Sequence, residues 1–194
     1  LHSFPTRRSS DLTIDDVGGI IQLIEPFEND GTLVKRDRTE IERDIHSYTV
    51  IEHDGVIFGC AALHPYPEAK TGEMAAVTVS PKAQGTGDGE KLLKRIEQRA
   101  RDQGLDSLFV LTTRTMHWFI KRGFQPVSPE WLPEARKSKY NWSRKSQVLV
   151  KHLYHLLTDW RQNLFKQELP TNSSNLQICH SVYAIYLIIS FSLE

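Results

Sequence analysis

The sequence predicts an α/β fold in which a mixed central sheet carries helices on both faces. Residues 73–79 (EMAAVTV) are mostly apolar and end in Val-Thr-Val, as expected for a buried strand. After a glycine-containing loop, Leu92, Leu93, Ile96 and Ala100 recur at helical spacing with charged residues between them. Strands are also predicted before and after this unit, and helices on both faces are the natural cover for such a mixed sheet.

Two helices come first, and each is marked by its cap. Asp15 or Asp16 is placed to cap the first helix, whose apolar residues repeat at helical spacing from Val17. Asp37 and Glu40 form a capping-box-like start for the second. These patterns predict two short helices before the sheet begins.

A hairpin leads into the central strand. Residues 48–53 and 56–63 have the composition of strands, and Asp54-Gly55 between them is a strong turn signal. The segment His64-Pro65-Tyr66-Pro67 is expected to end the second strand. The hairpin therefore supplies the antiparallel part of the sheet.

Further elements follow the long helix, which Gly104 is placed to end as a C-cap. Residues 107–112 (SLFVLT) read as another buried strand. A short helix is expected over residues 115–122, closed by Gly123, and strands over 124–127 and 146–153.

Composition excludes several classes of function. Lys plus Arg equals Asp plus Glu at 24 each, so no bulk charge favours nucleic acid or a membrane surface. No apolar run has the length of a membrane-spanning helix. The 2 cysteines form no disulfide framework, which fits a reducing, cytoplasmic setting. Cys60, His64 and His117 lack metal-ligand spacing, so no metal site is predicted and we interpret these residues as structural.

The two ends of the chain differ from its middle. Residues 1–12 (LHSFPTRRSSDL) show no periodicity and resemble a translated sequencing adapter, so we interpret them as a non-native leader. Residues 13–153 are expected to form the domain. Residues 154–194 are interpreted as a C-terminal extension, either non-native or disordered.

The loop at residues 84–89 (QGTGDG) is the first candidate binding element. A strand, a glycine loop and a helix N-terminus aim backbone N–H groups at one point, which suits a phosphate. A P-loop is excluded because no Gly-Lys-Ser/Thr follows, and the glycines begin too far after the strand for a dinucleotide fingerprint. A simple glycine-rich turn into an amphipathic helix remains the alternative.

The loop resembles the acetyl-CoA loop of the GCN5-related N-acetyltransferases. That family's pattern, Gln/Arg-x-x-Gly-x-Gly/Ala after a Val-x-Pro strand end, appears here as Gln84-x-x-Gly87-x-Gly89 after Val79-Ser80-Pro81. The resemblance implies that acetyl-CoA is the co-substrate and that the loop amides hold its pyrophosphate. The cofactor-binding residues it implies are Val77, Val79, Gln84, Gly85, Gly87, Asp88, Gly89 and Glu90. The Asp88 charge is unfavourable beside a phosphate, so its side chain is expected to point to solvent or to cap the helix.

Motifs in separate places narrow the resemblance to the acetyltransferase domain of the bacterial N-acetylglutamate synthases. They cover residues 12–153 and read LVKR (33–36), GEMA (72–75), LFVLTT (108–113), HWF (117–119) and YNWSRKS (140–146). This implies acetyl transfer to the α-amino group of L-glutamate, the first step of arginine biosynthesis. In that family an amino-acid-kinase-like domain, which binds arginine, normally precedes this one. The chain is therefore expected to be a fragment or a short form, and a homo-oligomer is left open.

The chemistry requires a base, a held thioester and a stabilised oxyanion. In the resembled fold two parallel strands, here 74–79 and 108–112, splay apart and admit the pantetheine arm. Glu73, at the start of the central strand, is the candidate general base, with an exposed strand-end carboxylate as the alternative. Thr112 is a candidate hydrogen-bond donor to sulfur or substrate, or simply a β-favouring residue. The family's usual tyrosine acid is replaced by His117, Trp118 and Phe119, so water is expected to protonate the thiolate.

A dicarboxylate acceptor requires cations on separate elements, and arginine is suited because it binds carboxylates through two parallel hydrogen bonds. The acceptor residues that the resemblance and their placement imply are Lys35, Arg36, Arg136, Arg144 and Ser146. Lys137, Lys139 and Lys145 are interpreted as solvated surface. Two alternatives remain open: the same fold with another amine acceptor, and a non-catalytic module that senses an acyl-CoA or an amino acid.

Overall fold

A computed structural model of the chain describes residues 6–7 and 12–153. Of the predicted leader, the structure describes residues 6, 7 and 12. The predictions for its other residues and for residues 154–194 lie outside the described residues. No helix in the described part is long and apolar enough to cross a membrane.

The described residues form one mixed sheet of seven strands in the order β1-β2-β3-β4-β5-β7-β6. The strands are β1 (Thr6–Arg7), β2 (Tyr48–His53), β3 (Val56–Tyr66), β4 (Thr71–Val79), β5 (Ser107–Thr112), β6 (Gln125–Val127) and β7 (Gln147–His152). Every neighbouring pair is antiparallel except β4 and β5, which run parallel. The resemblance implies a first strand just before Asp15, and at that edge β1 pairs with Val50 and Ile51 of β2.

Five α-helices accompany these strands: α1 (Val17–Asn29), α2 (Arg38–Arg43), α3 (Asp88–Asp102), α4 (Met116–Ile120) and α5 (Glu134–Lys137). Asp37 and Glu40 form the predicted capping box of α2. Asp16 instead belongs to a capping box with Thr13, which begins a 3₁₀ turn leading into α1. The caps at both helices are local signals that a sequence carries without reference to the rest of the fold.

Alternating side chains of the sheet build a core on each face. Ile51, Ala61, Leu63 and Met74 pack against Leu92 and its neighbours on α3. On the opposite face, the side chains of β2, β3 and β4 pack against α1 and α2; the residues there include Val17, Ile20, Ile41, Val50, Cys60 and Ala62. The prediction of a mixed sheet with helices on both faces is confirmed.

The predicted end of the hairpin's second strand is wrong. β3 continues through Pro65, which pairs with Gly72 of β4, as far as Tyr66. Pairing between β3 and β2 stops at Ala62, opposite Tyr48, so Pro65 lies where β3 has no second neighbour in register. A proline is tolerated there because its missing N–H faces no strand.

Candidate active site

A gap opens between β4 and β5 because the two strands pair over a short length. Their parallel register covers Thr71, Gly72 and Glu73 of β4 and stops there. Beyond Glu73, β4 continues to Val79 without a partner on that side. The splay that the resemblance implied for residues 74–79 and 108–112 is present in the structure.

A bulge in β4 accompanies the splay. Cys60 pairs with Thr78 and Ala62 with Ala75, so Ala76 and Val77 together oppose the single residue Ala61. Ala76 has a positive φ of 51°, a left-handed conformation that is costly for a residue with a Cβ. An extra residue of this kind bends a strand and locally interrupts its regular pairing.

Buried hydrogen bonds hold the bulge in place. The carbonyl oxygen of Ala76 accepts hydrogen bonds from Thr78 Oγ1 at 3.2 Å and from Cys60 Sγ at 3.4 Å. Burial raises the pKa of the Cys60 thiol to about 12, so the group stays protonated and acts as a donor. Cys60 is therefore part of the support for the bulge, in line with its structural interpretation.

A cavity of about 350 Å³ fills the gap. The residues predicted for the site that line it are Arg36, Glu73, Val77, Thr112, Arg136, Arg144 and Ser146. Lys35 does not line it, and neither do Val79 and the glycine-loop residues Gln84, Gly85, Gly87, Asp88, Gly89 and Glu90. The structure thus brings most of the predicted acceptor site and both candidate catalytic residues around one space.

Glu73 lies at the last position of β4 that pairs with β5, and its side chain is 12% exposed. Its carboxylate is held by Arg136, whose Nε donates to Oε2 at 2.6 Å and whose Nη2 donates to Oε1 at 3.1 Å. Burial alone lowers the pKa of Arg136, but the hydrogen bonds and charge of Glu73 outweigh it and raise that pKa. The alternative of an exposed strand-end carboxylate is excluded by this burial.

Tyr66 adds a longer contact to the same carboxylate. Its hydroxyl lies 3.5 Å from Glu73 Oε2. Burial, with the nearby Glu73 charge, raises the pKa of Tyr66 to about 12, so the phenol stays neutral. The base candidate is therefore contacted by two donors, the Arg136 guanidinium and the Tyr66 hydroxyl.

Arg144 is oriented by a capped turn just before β7. The side chain of Asn141 accepts from the backbone N–H groups of Ser143 at 3.1 Å and Arg144 at 3.2 Å. Arg144 Nη2 donates to the carbonyl oxygens of Gly31 at 3.1 Å and Thr32 at 2.8 Å across the cavity. Its Nε and Nη1 donate to no other described group, which leaves part of the guanidinium for a ligand.

The remaining predicted acceptor residues occupy different positions. Ser146 is buried, and its carbonyl oxygen accepts from the Tyr140 hydroxyl at 2.5 Å. Arg36 lines the cavity and is tied to its own loop, with Nη1 donating to Val34 O at 3.1 Å. Lys35 lines a neighbouring cavity of about 460 Å³, which the Glu73 and Arg136 side chains also line.

Thr112 is engaged in a local turn. Its Oγ1 lies 2.8 Å from Thr115 Oγ1 and accepts from the Thr115 backbone N–H at 3.0 Å. It still lines the cavity, together with Phe119 of α4. His117 on the same helix is exposed and lies outside this lining.

The glycine loop lies beyond the end of β4 and leads into α3. Gly85 and Gly87 have positive φ values of 83° and 87°, and Gly87 is the N-cap of the helix. No described group accepts a hydrogen bond from the backbone amides of residues 85–89. Gln84 Nε2 donates to Val79 O at 3.3 Å and ties the loop to the strand. Free amides at a helix N-terminus favour an anion.

The two orientations expected for the Asp88 side chain are both wrong. The carboxylate is buried and accepts from Lys91 Nζ at 2.7 Å and from Thr86 Oγ1 at 2.7 Å. Burial alone raises the pKa of Asp88, but these hydrogen bonds and the Lys91 charge outweigh it, so the pKa is lowered. A short-range ion pair that sequence spacing did not reveal thus neutralises the charge beside the loop.

Asp88→Asn is expected to lower the free energy of unfolding by about 1–3 kcal/mol at neutral pH, because charge-assisted hydrogen bonds to Lys91 and Thr86 are weakened. Since the pKa of Asp88 is lowered in the folded state, its stabilisation is present above the ordinary carboxyl range and is lost as pH falls through the lowered value. Urea unfolding at neutral and acidic pH checks this. Asp102→Asn, an exposed change at the other end of α3, is the control. If the free energy of unfolding had the same pH dependence in both variants, the Asp88 contacts could not be its origin.

Some residues around the cavity were missed or misread. Tyr66 carried no motif signal, and Asn141 lay inside the 140–146 motif but was assigned no role, because both roles depend on contacts that form only in the fold. Lys139, interpreted as solvated surface, is exposed but lines both cavities. Arg114 donates to Asp30 O at 2.8 Å and to Thr32 Oγ1 at 3.2 Å, so it holds the loop after α1, in which Thr32 lines the cavity. Its position directly after Thr112-Thr113 was the one available signal.

The chain matches curated relatives named amino-acid acetyltransferase. It is 64% identical to the one from Ralstonia nicotianae over 141 residues, which are 73% of this chain and 31% of that protein. It is 50% identical to the one from Escherichia coli strain K12 over 141 residues, or 73% of this chain and 32% of that protein. The chain thus spans about a third of the length of these relatives.

A solved structure supports the same fold and the same family resemblance. The N-acetylglutamate synthase from Neisseria gonorrhoeae, complexed with coenzyme A and N-acetyl-glutamate, matches with a TM-score of 0.74 at 40% identity. The match covers 80% of this chain and 36% of that one. The predicted fold and the predicted resemblance are both confirmed by this agreement.

The family assignment covers the central part of the fold. Residues 19–124 match the acetyltransferase (GNAT) family, from α1 through the glycine loop to the end of α4 and Phe124. This range is more than half of the chain and includes the splayed strands, Glu73 and the N-terminus of α3. The chain belongs to the acetyltransferase (GNAT) family.

Proposed function

We propose that this chain transfers the acetyl group of acetyl-CoA to the α-amino group of L-glutamate. The observation that carries the proposal is the cavity between the splayed strands. Around it lie one buried carboxylate, Glu73, and three arginines that come from separate elements, Arg36, Arg136 and Arg144. A base beside several cations suits an acceptor that brings one ammonium and two carboxylates. The relatives named amino-acid acetyltransferase support the same reaction class.

Acetyl-CoA is proposed to lie along the free edge of β4, with its pyrophosphate at the glycine loop. The amides of residues 85–89 and the N-terminus of α3 would hold the phosphates. The other proposed contacts are Val77, Val79, Gln84 and Glu90. Val77 lines the cavity, whereas Glu90 pairs with Arg122 at 3.4 Å on the outside of the helix.

The chemical step follows from this placement. The amine nitrogen forms a bond to the thioester carbon, and Glu73 takes the proton that the ammonium must lose. The oxygen of the tetrahedral intermediate is negatively charged, and backbone amides of β4 beyond Glu73 are the available donors because β5 has turned away. The carbon–sulfur bond then breaks while the nitrogen loses its second proton, which water passes to the departing thiolate. Thr112 is proposed to donate to the sulfur or the substrate.

The two carboxylates of glutamate are assigned to cations on different elements. Arg36 comes from the loop after α1, Arg136 from α5, and Arg144 from the turn before β7. Ser146 lines the same cavity, and Lys35 approaches from the neighbouring one. We propose that residues 13–153 form this catalytic domain and that its reaction is the first step of arginine biosynthesis in the cytoplasm.

Acetyl-CoA affinity and acceptor choice test the proposal directly. Isothermal titration with acetyl-CoA should give saturable binding, and a CoA-release assay across amino acids should favour L-glutamate. Equal rates with a range of unrelated amines would support another acceptor. Saturable binding of acetyl-CoA without CoA release for any amine would support a sensing module instead.

Arg144→Lys is expected to raise the KM for glutamate on the order of 10-fold, since losing one charge-assisted bond costs about 1.5–3 kcal/mol. Arg144 holds the loop through Nη2, and its Nε and Nη1 lie on different edges of the guanidinium, so either one can donate a hydrogen bond to a carboxylate. A lysine has a single ammonium and cannot hold the loop and a carboxylate at these separate positions. Steady-state kinetics with each substrate varied in turn measures the change. The KM for acetyl-CoA should barely move. Equal loss for both substrates would indicate a folding defect, and an unchanged KM for glutamate would remove Arg144 from the acceptor site.

A further inference from the structure

The proposed base and one of the proposed acceptor cations are bound to each other. Arg136 donates to both oxygens of Glu73, at 2.6 and 3.1 Å, and the two side chains are 18% and 12% exposed. Both oxygens that would take the proton of the substrate ammonium are thus already occupied by arginine donors. The same contact occupies the Nε and Nη2 fork of Arg136, and Nη1 donates to the Lys139 carbonyl oxygen at 3.4 Å. In this arrangement neither residue is ready for its proposed role.

We propose that Arg136 determines acceptor specificity by exchanging partners: the α-carboxylate of the acceptor takes the Arg136 fork and thereby releases Glu73 to accept the ammonium proton. This inference rests on the proposed function and adds a link between recognition and chemistry. When an amine without that carboxylate binds, Glu73 remains paired with Arg136.

The surroundings of the pair leave room for the exchange. Both side chains line the cavity of about 350 Å³ and also the neighbouring one of about 460 Å³, so they form part of the wall between two spaces. Glu73 is fixed by strand partners on both sides, His64 of β3 and Phe109 of β5. Arg136 is a long side chain on the four-residue helix α5. The arginine is therefore the partner that moves.

The charges balance only for the correct acceptor. Before binding, the pair is neutral. After exchange, Arg136 faces a carboxylate and Glu73 faces the ammonium, so each charge again has a partner. An amine lacking the α-carboxylate places its ammonium beside Arg136, and one carboxylate is then shared by two cations. Such like-charge placement is unfavourable in a partly desolvated site.

The position of the base indicates which carboxylate is involved. The base that reaches the amine must lie next to it, and the α-carboxylate is attached to the same carbon as the amine. Since Arg136 touches Glu73, the α-carboxylate is the group placed to compete for it. The distal carboxylate is then left for Arg144 and Ser146, which line the same cavity.

The wild-type chain tests the exchange with two neutral analogues of glutamate that keep its size. L-Isoglutamine carries an amide at the α-carboxyl position, and L-glutamine carries it at the distal one. With glutamine we expect the KM to rise about 10-fold or more and kcat to stay within about 3-fold, because uniform binding is lost. With isoglutamine we expect kcat to fall on the order of 10²-fold even at saturation, because the base stays paired.

Arg136→Gln separates partner exchange from a supporting role. Without the fork no arginine competes for Glu73, so the kcat ratio of glutamate to isoglutamine is expected to collapse from about 10² to within about 3-fold. Arg144→Gln is the matched control, which should raise the KM for glutamate while the ratio persists. A residue that only supports the fold would lower both rates together and leave the ratio in place.

The outcomes distinguish the inference from the proposed function. If the wild-type chain acetylates isoglutamine at saturation as fast as glutamate, the exchange is wrong although glutamate acetylation stands. A ratio that survives in Arg136→Gln also overturns it, and if this variant fails to fold, the wild-type comparison of the two amides decides alone. If glutamate itself is not acetylated, the proposed function fails before the exchange is reached.

Discussion

Glu73→Gln is expected to lower kcat by about 10²–10⁴-fold, the usual contribution of a general base. Glutamine keeps the size of the side chain and can still accept a hydrogen bond from Arg136, so the strand and its neighbours should remain folded. It cannot take a proton from the ammonium. Steady-state kinetics at saturating acetyl-CoA and glutamate measures the loss, and titration calorimetry should show an unchanged acetyl-CoA affinity.

A pH–rate profile makes this test specific to the base. The fall in kcat toward acidic pH reports protonation of the essential base and should disappear in Glu73→Gln. Glu68→Gln, an exposed change in the 3₁₀ turn just before β4, is the matched control and should behave as wild type. A variant that keeps its acidic limb would exclude Glu73 as the base. The KM for glutamate is not expected to rise, since Arg136 no longer faces a competing carboxylate.

Local patterns predicted the regular elements well. β2 and β5 begin and end at the predicted residues, 48–53 and 107–112. Asp54 and Gly55 have positive φ values of 49° and 76°, as the Asp-Gly turn signal requires. Such features depend on residues close in sequence, and burial on one face then reinforces them.

The central bulge had no comparable signal. Ala76 adopts a positive φ although alanine does not favour it, so no glycine marks the position. The conformation is supported by Cys60 and Thr78, which satisfy the Ala76 carbonyl in a buried setting. Tertiary contacts of this kind override local preference, and they become visible only when the neighbouring strand is in place.

Local sequence patterns also could not predict the contact between Glu73 and Arg136 in the candidate site. Glu73 and Arg136 were each predicted for the site, one as base and the other as an acceptor cation, but not as partners. They lie 63 residues apart in the chain, and β5 and α4 lie between them. Their pairing follows from the way α5 is brought over the parallel end of β4, which is a property of the topology.

Gly87→Val is expected to weaken acetyl-CoA binding by about 10²-fold or more, to the point that binding is lost at ordinary concentrations. Gly87 has a φ of 87° and is the N-cap of α3. A Cβ there meets no atom within 4 Å, so the cost comes from the backbone conformation, which a β-branched residue strongly resists. Relief of that strain turns the peptide and misaligns the free amides of residues 85–89. Losing two charge-assisted hydrogen bonds of about 1.5–3 kcal/mol each accounts for the expected effect.

The fold should survive this substitution, because α3 is held by Leu92, Leu93 and Ile96 in the core. Gly55→Val is the matched control, since Gly55 has a φ of 76° and equally open surroundings but lies in the β2–β3 turn. Both variants should lose similar stability in thermal unfolding, whereas titration calorimetry should show lost acetyl-CoA binding for Gly87→Val alone. Wild-type affinity in Gly87→Val would mean that the loop does not hold the pyrophosphate. An equal loss of acetyl-CoA affinity in both variants would show that the effect comes from lower stability. The reason is that only the strained peptide at Gly87 carries amides that face an anion.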